Sequence, residues 1–277
     1  MKFKYLIIAF GIIIAAAALI LIFLPMLLPD SGQDFHVTLA VNFRFIAFPL
    51  LAFMAVLLIG LSAYFIINYR LLSLLEREDW PALAYYLEHL IYVKGRYTYR
   101  NVRLLASSYL VISDYKSVLK LETKTQLAKP LLIGKIALIF GAARILEGNR
   151  QESVSFYKGH LNSCRKADKE WVSWFSGFTQ LLAGSYQAAE AEFSSISVSS
   201  KDAIITGLSA YFLGSTLEKR SLTPDKCRNI SETGKERVLK ALKNAAGWKK
   251  ETGKAGNDIH IAIIKKYIDE AGEWIFK

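Results

Sequence analysis

A short pattern of residues recurs at a nearly fixed interval in the middle of this chain. Its clearest copy is Gly184-x-Tyr186-x-x-Ala189-x-x-x-Phe193, and weaker copies begin at Glu78, Ser113 and Gly148. The four copies are separated by intervals of 35, 35 and 36 residues. A period in the mid-thirties is typical of stacked helical hairpins, because one hairpin cannot bury its apolar face alone. The pattern therefore predicts an all-α solenoid, an architecture that usually binds other molecules.

The residue types within the pattern suit a turn between two packed helices. Glycine at the turn tolerates a positive φ, which most residues avoid. Seven positions before three of the turns stands a small residue that lets two helices approach closely: Ala106, Gly141 and Gly177. The aromatic residue that ends the clearest copy, Phe193, is expected to fill the groove towards the next hairpin.

These residues and their spacing resemble the tetratricopeptide repeat family, whose repeats are helix–turn–helix units of about 34 residues. The resemblance covers residues 63–196, and the copies depart from the family pattern at Glu122 and Arg150. It implies a concave face, lined by the leading helix of each hairpin, that binds a partner protein. The candidate contacts on that face are Tyr99, Arg100, Arg103, Lys135 and Arg144.

Two uncharged apolar segments of 24 residues each, 5–28 and 45–68, precede the repeats. A helix needs about 20 apolar residues to cross the hydrocarbon core of a bilayer. The first segment is too long for a cleaved signal peptide, and its end lacks a small-x-small cleavage site. Residues 1–69 are therefore predicted to form a two-helix transmembrane hairpin. Transport is disfavoured, because neither span contains an Asp, Glu, Lys, Arg or His residue.

The charges that flank the two spans predict the orientation of the hairpin. Cations lie before the first span and after the second, at Lys2, Lys4, Arg70 and Arg77. The connector at 29–44 contains two aspartates and only Arg44 as a cation. Since cations concentrate on the cytoplasmic side, the protein is expected to be integral to the inner membrane with both termini and the solenoid in the cytoplasm.

Residues 70–200 are predicted to form the helical repeats, and residues 201–277 a basic helical C-terminal cap. Because no proline or glycine lies between Ser62 and Trp80, one helix is expected to run from the second span into the leading helix of the first hairpin. For the cap, the sequence predicts helices, a loop and a glycine- and lysine-rich linker. The helices span 202–213, 232–246 and 259–276, the loop 219–226 and the linker 249–257.

The formal net charge of the chain is +11, and eleven cations against four acids lie between Lys226 and Lys266. This excess favours an anionic partner such as lipid headgroups or an acidic protein surface, although a solvated helix face is the alternative. Nucleic acid is disfavoured because only Trp248 is an aromatic residue interleaved with these cations. The candidate anion-binding residues are Lys235, Arg237, Lys240, Lys243, Lys249 and Lys250.

No motif for catalysis, for a cofactor or for a metal stands out. His160 and Cys164 are four residues apart and would share a helix face, but zinc needs three or four ligands and no second pair is visible. The two cysteines, Cys164 and Cys227, are expected to be free thiols, which favours a reducing compartment. The sequence therefore predicts a protein that is not an enzyme and has no cofactor.

The function that these observations favour is a membrane-anchored scaffold that recruits or organises partner proteins through its solenoid. Two alternatives remain open from the sequence. One is a structural subunit of a secretion or motility machine of the cell envelope, with the solenoid outside the cytoplasm. The other is an accessory factor that tunes a membrane-associated enzyme.

Overall fold

The computed structural model of the protein describes Gly11, Ile12, Ala15 and residues 33–256 and 258–277. These residues are predominantly helical and contain no strand, which confirms the predicted all-α class. The chain divides into two compact units, Met1–Asp79 and Trp80–Lys277. The predicted first span at 5–28 lies outside the described residues, apart from the three helical positions at its centre.

The first unit contains a long helix, α1 (Gln33–Glu76). Its segment Ala52–Glu76 is long and apolar enough to cross a membrane, judged by length and composition, and it overlaps the predicted second span. The predicted connector is helical from Gln33 onward, so the second span does not start a new helix. The helix continues without a break to Glu76, as the lack of proline and glycine after Ser62 indicates.

The second unit consists of short helices that alternate in direction. Within its described residues these are α2 (Trp80–Glu88), α3 (Tyr99–Val111), α4 (Tyr115–Ala128), α5 (Leu131–Lys135), α6 (Ala137–Glu147), α7 (Arg150–His160), α8 (Lys169–Leu182), α9 (Tyr186–Ser199), α10 (Ala203–Phe212), α11 (Pro224–Leu242), α12 (Ala245–Ala255), α13 (Ile259–Ile263) and α14 (Lys265–Phe276). We call α3, α6, α8 and α10 the leading helices, and α2, α4, α7, α9 and α11 the trailing helices. Each leading helix packs against the trailing helix before it and the trailing helix after it.

The four predicted turns share one backbone geometry. The residue at each turn has a positive φ: 55° at Glu78, 60° at Ser113, 88° at Gly148 and 79° at Gly184. At Gly184 the amide of the next residue, Ser185, donates to the carbonyl of Gln180 at 2.9 Å, and the glycine amide donates to Leu181. The same pair of hydrogen bonds closes the other three turns, and it defines the Schellman end of a helix. The predicted positions of the turns are therefore confirmed.

The small residues before the turns lie against the aromatic residues after them. A Cβ on Gly141 would meet the ring of Tyr157 at 2.2 Å, and a Cβ on Gly177 would meet Phe193 at 3.1 Å. The Tyr157 ring also stacks on Phe175 of the next leading helix, with ring centroids 5.4 Å apart. The glycines thus allow an aromatic side chain to fill the space between successive hairpins.

Replacing Gly141 by alanine is expected to lower the free energy of unfolding by about 1–3 kcal/mol, because the new methyl group overlaps the Tyr157 ring. Gly159→Ala is the matched control, because Gly159 is an exposed residue of helix α7 and nothing lies within 4 Å of its Cβ position. That change should stabilise the helix slightly, as alanine does in an exposed helix interior. Urea titrations of the two full-length variants in detergent give the comparison, and equal effects would contradict the assigned packing.

The C-terminal region differs from its prediction in four respects. The predicted linker at 249–257 is largely helical, because Asn244 accepts the Gly247 amide at 2.9 Å and so caps α12. Trp248, expected to lie exposed among the cations, is buried and donates its indole NH to the Ile268 carbonyl. The predicted last helix consists of two helices that meet at Ile264. The predicted helix at 232–246 instead spans Pro224–Leu242 and so begins within the predicted loop at 219–226. The helix start at Asp202 was predicted correctly.

Candidate binding groove on the leading helices

A groove of about 360 Å³ opens on the leading-helix side of the second unit. One wall is helix α3, where the lining residues follow one another at intervals of four and therefore share a helix face. They are Tyr99, Arg103, Ser107 and Val111. Apolar side chains at the start of α6 form the floor, and the segment before and within α13 forms the opposite wall.

A polar network crosses the groove. Tyr99 accepts hydrogen bonds from Arg165, at 2.5 Å, and from Arg103, at 3.5 Å. Arg103 also donates to Asp258 at 3.0 Å, across 155 residues of sequence. Arg165 forms an ion pair with Asp168 at 3.1 Å. Burial raises the pKa of Asp168, although the charges of Arg165 and Arg103 oppose the shift.

Lys135 differs from the other two cations of the groove. It lies at the end of α5, is exposed, and forms no ion pair within the part of the chain that the structure describes. Arg103 and Arg165, in contrast, each have an aspartate partner. The groove therefore presents one uncommitted ammonium group beside the apolar residues Ile136 and Ile139.

The C-terminal segment occupies much of the leading-helix face. Helix α13 packs on α6, and α14 packs on α10. His260 is buried between the rings of Trp171 and Phe175, with centroid distances of 5.5 and 6.1 Å. Tyr267 contacts Phe178 and Phe212 in the same way. The sequence predicted a terminal cap here and missed that this cap folds back over the leading helices.

The sequence contains a signal for this arrangement in the apolar run of 259–264, which is interrupted only by His260 and Ala262. A terminal cap that solvates the end of a stack needs a polar outer face. All four isoleucines in this run are instead fully or partly covered, and Ile261 and Ile264 belong to the core. The run is therefore better explained by contact with a second apolar face.

Burial lowers the pKa of His260 to about 4, although the nearby Asp258 opposes this shift. The unfolded chain takes up a proton at the ordinary histidine pKa near 6.5. Between about pH 6.5 and 4 protonation therefore favours the open state, and the stability of the C-terminal segment is expected to fall as the pH falls. Above pH 7 the side chain is neutral in both states and contributes no such dependence.

This expectation is checked by hydrogen exchange of residues 259–276 at pH 7.5 and pH 5, corrected for intrinsic rates. Protection should fall at pH 5 in the natural chain and should stay constant in His260→Phe, which keeps the aromatic contacts and lacks the titrating group. A similar loss of protection in both proteins would show that another group is responsible.

Two of the predicted partner contacts are not among the residues that line the groove. Arg100 is exposed on another face of α3. Arg144 forms an ion pair with Glu122, with a second N–O distance of 2.9 Å, and its guanidinium lies 4.3 Å from the centre of the Phe156 ring. Glu122 stands where the third and fourth repeats have an aromatic residue, so this departure from the pattern has a structural partner. A role of Arg144 and Arg100 in binding a partner stays a prediction.

The predicted anion-binding residues of the cap divide into two groups. Arg237 donates to the carbonyls of Ser197 and Ser200, and Lys235 lies 4.8 Å from the centre of the Trp274 ring. These two cations therefore hold the cap to its neighbours. The other four are exposed: Lys240, Lys243, Lys249 and Lys250.

The histidine and the cysteine considered for metal binding have local partners. His160 Nδ1 lies 3.0 Å from Ser163 Oγ, and Cys164 donates to the Leu161 carbonyl. Both cysteines are free thiols. Within the described residues, no group of three or more His, Cys, Asp or Glu side chains is arranged to hold a metal.

Comparisons with known proteins point to one bacterial genus. A family model described as "Uncharacterised Treponema protein" matches residues 117–277, which is more than half of the chain. An "Uncharacterized protein" of Treponema pallidum (strain Nichols) is 24% identical over 294 aligned positions, covering 100% of this chain and 88% of that protein. No solved structure matches the chain.

Proposed function

The chain belongs to this Treponema family, and we propose that it is a membrane-anchored scaffold that holds an acidic segment of a partner protein in the groove on its leading helices. In this proposal residues 1–76 supply a two-helix anchor in the inner membrane, and the second unit is a tetratricopeptide-like solenoid in the cytoplasm. The protein is not an enzyme in this account, and its activity is recruitment.

The observation that carries the proposal is Lys135 at the rim of the groove, which has no ion-pair partner among the residues that the structure describes, whereas the other two cations of the groove are paired. Arg103 and Arg165 are matched by two aspartates, so a ligand does not need to neutralise them. A carboxylate placed next to Lys135 gains a charge-assisted hydrogen bond. Adjacent apolar residues, Ile136, Ile139 and Val111, provide a surface for an aliphatic or aromatic side chain of the same segment.

The repeat geometry supports a binding role, since stacked helical hairpins present an extended face built from many successive side chains. The exposed apolar segment of α1 supports the anchor. Large side chains there, among them Phe53, Ile59 and Ile67, are exposed and would be covered by lipid.

In-cell photocrosslinking of the full-length chain tests the groove. A photoreactive amino acid at Ser107 faces the groove, and the same amino acid at the exposed Lys120 of α4 is the control. Adducts of discrete mass are expected from Ser107 and not from Lys120. The change Lys135→Glu should weaken their formation about tenfold or more, because it brings like charges together.

Lys116→Glu makes the same change of charge on the exposed surface of α4 and should leave the adducts intact. The proposed function is wrong if both positions yield the same adducts. It is also wrong if the Ser107 adducts are insensitive to Lys135→Glu.

A further inference from the structure

The segments that join each trailing helix to the next leading helix form one continuous edge of the second unit, which we call the connector edge. It consists of residues 94–98, 129–136, 161–168 and 200–202. Three observations connect the segments. Arg165 donates to Tyr99 at 2.5 Å, Gly134 lies so close to Ser163 that a Cβ would overlap its carbonyl oxygen, and Ser200 donates to Glu170 at 2.6 Å.

The connector edge is strongly basic. Seven cations lie in its four segments: Lys94, Arg96, Lys129, Lys135, Arg165, Lys166 and Lys201. Only two acids accompany them, and both are committed, because Asp168 pairs with Arg165 and Asp202 caps helix α10. The turns at the other ends of the same helices, 112–114, 148–149, 183–185 and 218–223, carry two cations and two acids. Among the segments that join these helices, the excess of positive charge is therefore found at one edge.

Large apolar side chains are exposed along the same edge. Leu127 and Leu131 flank the start of the second connector and are each 83% exposed. Val93 is also exposed and ends the π-helical extension of α2, which spans His89–Val93. Val198, near the end of α9, is exposed as well. Lys124 lies 3.8 Å from the Tyr92 ring, which brings the end of α4 next to the end of that extension. Isolated exposed apolar residues are common in soluble proteins, but these lie among cations on one edge.

We propose that the connector edge rests on an anionic phospholipid surface, with Leu127 and Leu131 inserted among the acyl chains and with Lys94 and Lys129 at the headgroups, while Lys135 faces the groove. Apolar side chains bordered by lysine and arginine are the pattern of proteins that lie in the bilayer interface. Lysine side chains reach the headgroups while their stems stay in apolar surroundings. An acidic protein surface would neutralise the cations, but it would not explain why two leucines are exposed beside them.

The proposal rests on the proposed function in one respect, since an anchored chain keeps the second unit at high effective concentration near the bilayer. The contact itself is a property of the connector edge. Its test therefore reads the edge and the anchor separately.

The experiment places an environment-sensitive fluorescent amino acid at single positions of the full-length chain in nanodiscs. The discs contain equal parts of phosphatidylcholine and phosphatidylglycerol with a nitroxide-labelled lipid as quencher. The position under test is Leu127. The matched control is Leu222, which is 81% exposed and lies in a turn at the opposite ends of the helices. Ile59 in α1 reports on the anchor.

Emission at position 127 is expected to shift to shorter wavelength and to be quenched several-fold more than emission at position 222. Discs of phosphatidylcholine alone, or the double change Lys94→Glu and Lys129→Glu, should reduce the quenching at 127, because the contact requires anionic headgroups and these cations. Quenching at Ile59 should be the same in all discs.

Each outcome decides one claim. Quenching at Ile59 with equal, low quenching at 127 and 222 overturns the lipid contact and leaves the anchor intact. This result would favour an acidic protein as the partner of the edge. No quenching at Ile59 contradicts the anchor, while the lipid contact is still judged by 127 against 222. Equal quenching at 127 in neutral and anionic discs would contradict the assigned role of the lysines.

Discussion

Replacing Tyr157 by alanine is expected to lower the free energy of unfolding of the second unit by about 3–5 kcal/mol. Tyr157 is fully buried, lies against Gly141, and stacks on Phe175 of the next leading helix. Its removal leaves a cavity between two hairpins that share few other contacts of this size, because each repeat packs mainly on its neighbours. A urea titration of the full chain in detergent, followed by circular dichroism, measures the loss.

Two further variants keep this prediction decisive. Tyr85→Ala removes a tyrosine that is 70% exposed and should change the stability by less than about 0.5 kcal/mol. Tyr157→Phe keeps the ring and loses only a long hydrogen bond, of 3.5 Å, to the Leu138 carbonyl, so it should stay close to the natural chain. Equal losses for Tyr157→Ala and Tyr85→Ala would contradict the packing between hairpins.

Replacing Arg144 by alanine is expected to cost about 2–3 kcal/mol. The side chains of Glu122 and Arg144 are 12% and 17% exposed, so the change leaves a carboxylate poorly hydrated and without its partner. Replacing both residues by leucine should recover part of the loss, because the uncompensated charge is then absent. Chemical unfolding of Arg144→Leu, Glu122→Leu and the double variant gives the coupling between them.

An exposed ion pair provides the control for this cycle. Arg228 pairs with Glu218, and its side chain is 59% exposed. Because water screens such a pair, Arg228→Ala should cost much less than Arg144→Ala. A cost for Arg144→Ala no greater than that of Arg228→Ala would mean that the pair of Arg144 and Glu122 is not a structural part of the repeat.

The turns of the repeat could be predicted from sequence because their geometry depends on local residues. Gly148 and Gly184 are the glycines that a positive φ favours, and they fixed the period. Glu78 and Ser113 adopt the same conformation although neither is a glycine, so at these positions the packing of the flanking helices imposes a conformation that the residue does not favour. The fixed interval between turns was therefore more informative than residue type alone.

Contacts distant in sequence could not be predicted in this way. Arg103 and Asp258 are 155 residues apart, and no local pattern indicates that they meet. The same is true of Trp248, which the neighbouring lysines suggested would be exposed and which is buried against α14. Arg144 was selected as a partner contact for its charge, but its pairing with Glu122 depends on the packing of two hairpins. Groove residues on one helix, such as Tyr99 and Arg103, were easier to find because their spacing places them on one face.

The orientation of the chain in the membrane bears on every part of the proposed function. A cytoplasmic second unit meets the anionic inner leaflet and cytoplasmic partners, as the scaffold requires. A second unit on the other side of the membrane would instead fit a structural subunit of an envelope machine. The flanking charges at Lys2, Lys4, Arg70 and Arg77 favour the first arrangement.

Protease accessibility of a tag after Lys277, compared in intact cells and in spheroplasts, tests this account most directly. A periplasmic protein that the protease degrades only in spheroplasts serves as the control for access. The account predicts that the tag is protected in both preparations and is cleaved only after the inner membrane is permeabilised. Cleavage of the tag in intact spheroplasts would place the second unit outside the cytoplasm and would contradict the proposed cytoplasmic scaffold.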